Sequence, residues 1–211
     1  MAPINGRPFL EYQLDYWIGQ GINHFILSVG YRHELIMAHF GAQYREGRIE
    51  YAIEETPVGT GGGLLLSIEK LTDHCPFLLL NGDTFFEVIL AELFDFHVKR
   101  QSDWTFSLFK ANEADRYMGM EMDNEGRILA LNSGAGKPGR LANGGVYLVN
   151  PEILYEINRQ YVRKRSLEDD VLPTLMAGGA RFYGRECDGR FIDIGAPEDY
   201  LRSAEIISAG R

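Results

Sequence analysis

Cysteine is nearly absent from this sequence: Cys75 and Cys187 are the only two in 211 residues. Their positions match neither a zinc-ligand spacing nor a disulfide framework, so a reducing cytoplasm is the expected setting. The histidines His24, His33, His39, His74 and His97 form no H-x-x-x-H pair, which reads as surface or satisfied polar residues rather than metal ligands. No apolar run approaches the roughly 20 residues that cross a bilayer, and Met1–Gly6 lacks the apolar core of a signal peptide. A membrane partner is therefore not expected. The 21 Lys and Arg are scattered among 30 Asp and Glu, and a net charge of −9 speaks against a nucleic-acid surface. No internal repeat or long linker divides the chain. The expectation is one domain, residues 1–211, large enough for a substantial core.

What is present is alternation of helix and strand signals. Phe9, Leu10, Leu14, Trp17 and Ile18 carry a helical period over Pro8–Gln20, stopped by Gly21. His24–Val29 predicts a strand, Arg32–Phe40 a helix, Ile49–Ile53 a strand, and a glycine-rich loop then opens a helix through Lys70. Phe77–Asn81 reads as a central strand buried on both faces, because its apolar residues do not alternate. Leu90–Arg100 reads as a helix and Trp104–Lys110 as a strand. The pattern predicts an α/β fold, a mostly parallel Rossmann-like sheet with helices on both faces. Residues 111–211 change character: Asp123–Gly126 marks a hairpin turn and Asn143–Val149 a strand. Ser166–Asp169 resembles a capping box, and Pro197–Asp199 open a final helix. This second half reads as a small mixed β acceptor-binding region, set against a nucleotide-binding half at 1–110.

Two strands end on an aspartate, Asp83 after Phe77–Asn81 and Asp193 after Phe191-Ile192. In an open α/β sheet the carboxyl ends of strands are where ligands bind, although each carboxylate could equally cap its own turn. Together they fit a shared Mg²⁺ site, since Mg²⁺ takes one or two carboxylates plus substrate phosphates. Gly82 would let a ligand approach the backbone. Within Glu54–Gly63, Gly59, Gly61, Gly62 and Gly63 remove side chains where a ligand could lie on the backbone. Three glycines at a helix start are costly enough to suggest function, yet no Gly-Lys-Ser/Thr follows, so this is not a Walker loop. Asn143 and Gly144 offer an amide and a small-residue floor for a sugar, or else a β-bulge. Glu168 would contact a sugar or merely support a helix N-terminus.

The ordered combination of Met1–Tyr12, the Glu54–Gly63 loop, Asn81-Gly82-Asp83, Asn143–Tyr147, Ser166-Leu167-Glu168 and Asp193–Tyr200 resembles the sugar-1-phosphate nucleotidyltransferases over nearly the whole chain. It is most similar to the D-glycero-D-manno-heptose 1-phosphate guanylyltransferases. The resemblance implies that a sugar 1-phosphate oxygen attacks the α-phosphorus of a nucleoside triphosphate and pyrophosphate leaves, with Mg²⁺ as cofactor. Asp83 and Asp193 match the family's metal-binding aspartates. Glu54, Pro57, Gly59 and Thr60 fall in the loop that contacts base and ribose, and a carboxylate at Glu54 or Glu55 can accept hydrogen bonds from guanine, making GTP the expected nucleotide. Asn143, Gly144, Glu168 and Gly119 fall where the family holds the sugar. A homo-oligomer stays open, as do another sugar or base and a non-catalytic nucleotide-sugar-binding role.

Three departures accompany the resemblance. The family's opening strand, its G-G-x-G-T-R-L loop and the following Lys-Pro do not appear ahead of Met1, so inefficient turnover of these 211 residues is the expectation. Leu131–Lys137 lacks the family's Glu-Lys pair, leaving Lys137 to substitute from a shifted position. In Tyr117-Met118-Gly119 the glycine comes one residue late.

Overall fold

A computed structural model describes residues 1–111, 117–132, 140–158 and 164–208. In chain order the elements begin with strands β1 (Pro3–Ile4) and β2 (Arg7–Pro8), helix α1 (Phe9–Ile18), β3 (His24–Val29), α2 (His33–Phe40), β4 (Gln43–Tyr44) and β5 (Gly47–Ile53). Helix α3 (Gly59–Ile68), β6 (Phe77–Leu80), β7 (Thr84–Phe86), α4 (Leu90–Arg100) and β8 (Trp104–Lys110) follow. Then come β9 (Gly119–Met122), β10 (Ile128–Asn132), β11 (Leu141–Val149) and α5 (Glu152–Asn158). A π-helical turn (Leu167–Val171), α6 (Leu172–Ala177), β12 (Phe182–Glu186), β13 (Phe191–Asp193) and α7 (Pro197–Ser208) complete the chain. Contacts divide it into two units, and α1 supplies residues to each: Leu14–Cys75 with Asn150–Ala180, and Ala2–Gln13 with Pro76–Val149 and Arg181 onward.

In the first unit β5 lies between β3 and β4. β3 and β5 run parallel in unbroken register from His24↔Arg48 to Val29↔Ile53, joined through α2. The tight return from β4 to β5 requires Arg45 at φ 50°, and Gly47 admits the Phe25 ring, since a Cβ there would stand 2.8 Å from its edge. Leu64, Leu65 and Ile68 of α3 are buried, as are Leu167, Val171 and Leu172. Each such side chain contributes roughly 1.5–3 kcal/mol on burial. The Ser166 hydroxyl caps the next segment by accepting from the Asp169 N–H at 3.1 Å, and Asp170 accepts from the Ser166 N–H at 2.7 Å. The first bond is the one a capping box provides; the reciprocal bond goes to Asp170, one residue later than the capping box has it. The helix nevertheless starts as a π turn, because Pro173 has no N–H and its ring needs room against the preceding turn.

In the second unit β11 is the hub. One edge pairs antiparallel with β8, and the other meets β9 at Ala142↔Gly119 and then β6 from Val146 to Val149. β12 continues the sheet beyond β8, parallel to it. Trp104, Phe106, Tyr147 and Phe182 make its aromatic centre, with ring centroids 5.4 Å apart for Phe106–Tyr147 and 5.6 Å for both Trp104–Tyr147 and Phe106–Phe182. β7 and β13 form a separate antiparallel ribbon with Asp193 opposite Thr84. Arg190 clamps it by donating to Glu87 through Nε at 2.8 Å and again through Nη2.

Several expectations change. The architecture is mixed α/β, but the sheet is not mostly parallel: only β3–β5 and β8–β12 pair that way among the described strands. The cause is β11, which runs against β6 and β8 and separates them. β6 is half-buried at all four residues rather than buried on both faces, and β11 is its one partner among the described strands. The glycine run is not a loop; Gly59–Gly63 form the opening of α3 itself. Strand β7 and helix α5 had no expectation: β7 is three residues long, whereas α5 does carry a start signal in Asn150-Pro151-Glu152.

Candidate active site

The carboxylate pair is built by two tight turns in the second unit. After β6, the chain turns at Asn81–Asp83 and enters β7; after β13 it turns again at Ile194–Gly195. The Ile194 N–H donates to the Asp83 carbonyl at 2.8 Å, which ties the turns together. Asp193 Oδ1 accepts from the Gly195 N–H at 2.8 Å, and Asp83 Oδ1 accepts from the Thr84 hydroxyl at 3.4 Å. The decisive measure is at Gly195. A Cβ added there would stand 3.0 Å from Asp193 Oδ1 and 3.2 Å from Asp83 Oδ2, so both carboxylates converge on one small space that glycine keeps open. Gly82 likewise has nothing within 4 Å of a notional Cβ. Two converging carboxylates with solvent access form a donor set suited to a divalent cation that shares its shell with phosphate oxygens. No group of three or more His, Cys, Asp or Glu that could hold a metal occurs among the described residues.

Asn143 and Gly144 lie beside that turn. The Asn81 N–H donates to the Gly145 carbonyl at 2.8 Å, and Gly145, at φ 70°, brings its backbone against the Asn81 side chain. The register of β11 on β8 slips between Asn143 and Tyr147, so the bulge alternative holds. The Asn143 amide is engaged within the protein, donating to the Tyr147 hydroxyl at 2.7 Å and accepting from the Gly145 N–H at 3.2 Å. Gly144 makes room for the Phe86 ring and the Ser107 carbonyl rather than a ligand floor. Gly119 is buried in β9, paired with Asn132 and Ala142. Lys137 lies outside the described residues.

The remaining predicted residues gather at the start of α3 in the first unit. Glu54 accepts from the Ser28 hydroxyl and the Val58 N–H, both at 3.2 Å, and so closes the turn that leads into α3. Glu55 and Pro57 are exposed. Thr60 accepts from the Leu167 N–H at 2.8 Å and donates to Glu168 at 3.4 Å. The glycines here serve packing. A Cβ on Gly59 would strike the Arg165 carbonyl, one on Gly61 would stand 2.7 Å from Val171, and one on Gly63 2.6 Å from the Ser28 hydroxyl. The ligand floor inferred for them is therefore occupied by the protein's own backbone and side chains.

A cavity of about 360 Å³ in the second unit involves none of these residues; Phe109, Tyr117, Cys187, Phe191 and Arg202 are among those lining it. Burial pushes the Cys187 thiol above its ordinary range, so it is not an activated nucleophile.

The nucleotidyl transferase family model matches residues 1–209. The chain belongs to the nucleotidyl transferase family. It is 39% identical over 204 residues to the D-glycero-alpha-D-manno-heptose 1-phosphate guanylyltransferase of Aneurinibacillus thermoaerophilus, covering 96% of this chain and 86% of that protein. A guanylyltransferase of the same description from Campylobacter jejuni is 35% identical, with 95% and 86% covered. The crystal structure of HddC from Yersinia pseudotuberculosis superposes with a TM-score of 0.85 at 26% identity, covering 97% of this chain and 88% of that one. This nucleotidyl transferase thus shares the mixed α/β fold of solved relatives. No described helix is long and apolar enough to cross a membrane.

One participant in the carboxylate turn escaped the sequence reading. Gln13, in the middle of α1, is 4% exposed and donates through Nε2 to the Asn81 carbonyl at 2.9 Å and the Thr84 carbonyl at 2.5 Å. Its signal was available: the residues four before and four after it, Phe9 and Trp17, are both apolar and buried, so a glutamine there interrupts a core stripe.

Proposed function

We propose that this chain transfers a guanylyl group from GTP to D-glycero-D-manno-heptose 1-phosphate. An oxygen of the sugar phosphate bonds to the α-phosphorus, the bond from that phosphorus to the β-phosphate bridging oxygen breaks, and pyrophosphate leaves with that oxygen. The observation that carries the reading is the convergence of Asp83 and Asp193 over Gly195, in a chain 39% identical to an enzyme of that description. Asp83 and Asp193 would hold Mg²⁺. A bound divalent cation supplies positive charge to phosphate oxygens, which suits a reaction governed by positioning and charge neutralisation.

The chain's own groups bind and orient. Gly82 leaves its backbone open to a phosphate or ribose. Glu55, exposed beside the turn that Glu54 closes, is the better placed of the two carboxylates to accept the guanine N–H edge, while Glu54 holds the turn's shape. Pro57, Gly59 and Thr60 set the path into α3. Asn143 would contact sugar hydroxyls, with Gly144 and Gly119 shaping the strands around it; Glu168, which accepts from Thr60, and Lys137 are further proposed sugar-binding residues.

A second reading rests on a mannose-1-phosphate guanylyltransferase of Mycobacterium tuberculosis, 33% identical over 98% of this chain and 58% of that protein. It keeps the base and changes the sugar. Pyrophosphate release with four nucleoside triphosphates and a panel of sugar 1-phosphates separates them. The assay is run on this chain and on a fusion carrying the family's strand and glycine-rich loop ahead of Met1. Release with GTP and the heptose phosphate is expected. Preference for mannose 1-phosphate selects the second reading, and silence in both proteins despite tight nucleotide-sugar binding sinks both in favour of a binding role.

A further inference from the structure

We propose that Gln13 is a positioning residue for the cation site, acting on Asp83 through the backbone of its turn. This rests on the reading of Asp83 and Asp193 as cation ligands. The turn runs Asn81-Gly82-Asp83-Thr84, and Gln13 donates its two amide hydrogens to the carbonyls of the first and last residues, at 2.9 and 2.5 Å. The Asp83 carbonyl is held by the Ile194 N–H, and the Asn81 N–H by the Gly145 carbonyl, each at 2.8 Å. The backbone on both sides of Asp83 is therefore fixed, while Gly82 supplies no side chain to brace the turn from the open side.

A primary amide is the group this geometry demands. It offers two donors from one nitrogen, diverging enough to reach two carbonyls. Glutamate has no donor when ionised, and an apolar residue would leave a buried carbonyl at Thr84 and a half-buried one at Asn81 without a partner from α1. Gln13 touches neither carboxylate in this arrangement; its effect passes through the turn. Residues that orient metal ligands in this indirect way typically change metal affinity about 10- to 100-fold when replaced.

The test uses Mn²⁺ alone as the probe, counted by electron paramagnetic resonance on the full chain, with melting temperature measured alongside. Gln13→Met keeps the side chain's length and removes both donors; about tenfold weaker Mn²⁺ binding is expected in a folded protein. Gln13→Glu, with at most one donor when protonated, should fall between the two and decides the question if the methionine variant does not fold. Thr105→Val serves as the stability control. It removes the buried 2.8 Å bond to His97 and should lower melting temperature while leaving Mn²⁺ affinity at the wild-type value. Asp83→Asn serves as the site control and should abolish binding. Unchanged affinity in a folded Gln13 variant, with binding lost in Asp83→Asn, overturns the role of Gln13 alone. Equal weakening in Thr105→Val reduces Gln13 to general stability and also overturns it. Retention of Mn²⁺ by Asp83→Asn removes the cation site itself, and the proposal with it.

Discussion

Two glycine-containing segments, the Asn81-Gly82-Asp83 turn and the opening of α3, read alike in the sequence and differ in use. At Asn81-Gly82-Asp83 the position a Cβ would take is empty to 4 Å, whereas at Gly59, Gly61 and Gly63 that position is filled by Arg165, Val171 and Ser28. A glycine can leave space for something that is not part of the chain, or it can admit the chain itself at close range. Only neighbours decide which, and they are distant in sequence. The first kind should tolerate substitution in stability and resist it in function; the second should show the reverse.

The largest expected effect lies at the open turn. Asp83→Asn and Asp193→Asn should each lower Mg²⁺-dependent pyrophosphate release at least about 100-fold, with the far-ultraviolet circular dichroism of the parent. Near-normal rates in both would remove the assignment. Next comes the filled helix start. Gly59→Ala places a Cβ on a residue at φ 78° and against the Arg165 carbonyl, and should cost about 3 kcal/mol in urea denaturation. Gly61→Ala places a Cβ 2.7 Å from Val171 and 2.9 Å from the Ser166 carbonyl, backbone that cannot simply rotate away, and should cost about 3 kcal/mol. Against these, Gly82→Ala should change stability by less than about 0.5 kcal/mol while weakening GTP binding in a titration. If Gly82→Ala proves as destabilising as Gly59→Ala, the distinction between the open turn and the filled helix start fails.

Much of this was legible in the sequence. Asp83 and Asp193 were marked by position alone, each at the end of an apolar strand, and the Ser166 cap was marked by its spacing. His24–Val29 was bounded correctly as a short apolar-rich run following the Gly21 stop. Strand direction was not legible. Asn143–Val149 reads the same whether it runs with or against its neighbours, and the antiparallel choice comes from β6 and β8 lying on its opposite edges. Gly59–Gly63 misled for a related reason: helix propensity disfavours glycine, and contacts with residues about a hundred positions away override it. Gln13 carries a signal, a polar residue between the apolar Phe9 and Trp17, but the apolar residues alone already explain the helical period.

The smallest effect concerns the ribbon that carries both aspartates. The Arg190 guanidinium beside Glu87 holds its carboxyl below the ordinary value near 4.5. A carboxylate whose folded value is depressed contributes its stability in full above the unfolded value and loses it as pH falls through the folded one. Because the pair is partly solvent-exposed, the contribution should be less than about 1 kcal/mol. Urea midpoints at pH 7 and pH 3 should therefore differ slightly less for Glu87→Gln than for the parent. A difference as large as the parent's would assign the acid sensitivity elsewhere.

The central claim is that Asp83 and Asp193 together hold one divalent cation, and its most direct measurement is the stoichiometry of Mn²⁺ bound to the parent chain and to each aspartate-to-asparagine variant. One saturable site per chain, lost when either aspartate is replaced, is the predicted result. A site that survives both replacements, or none in the parent, contradicts the account.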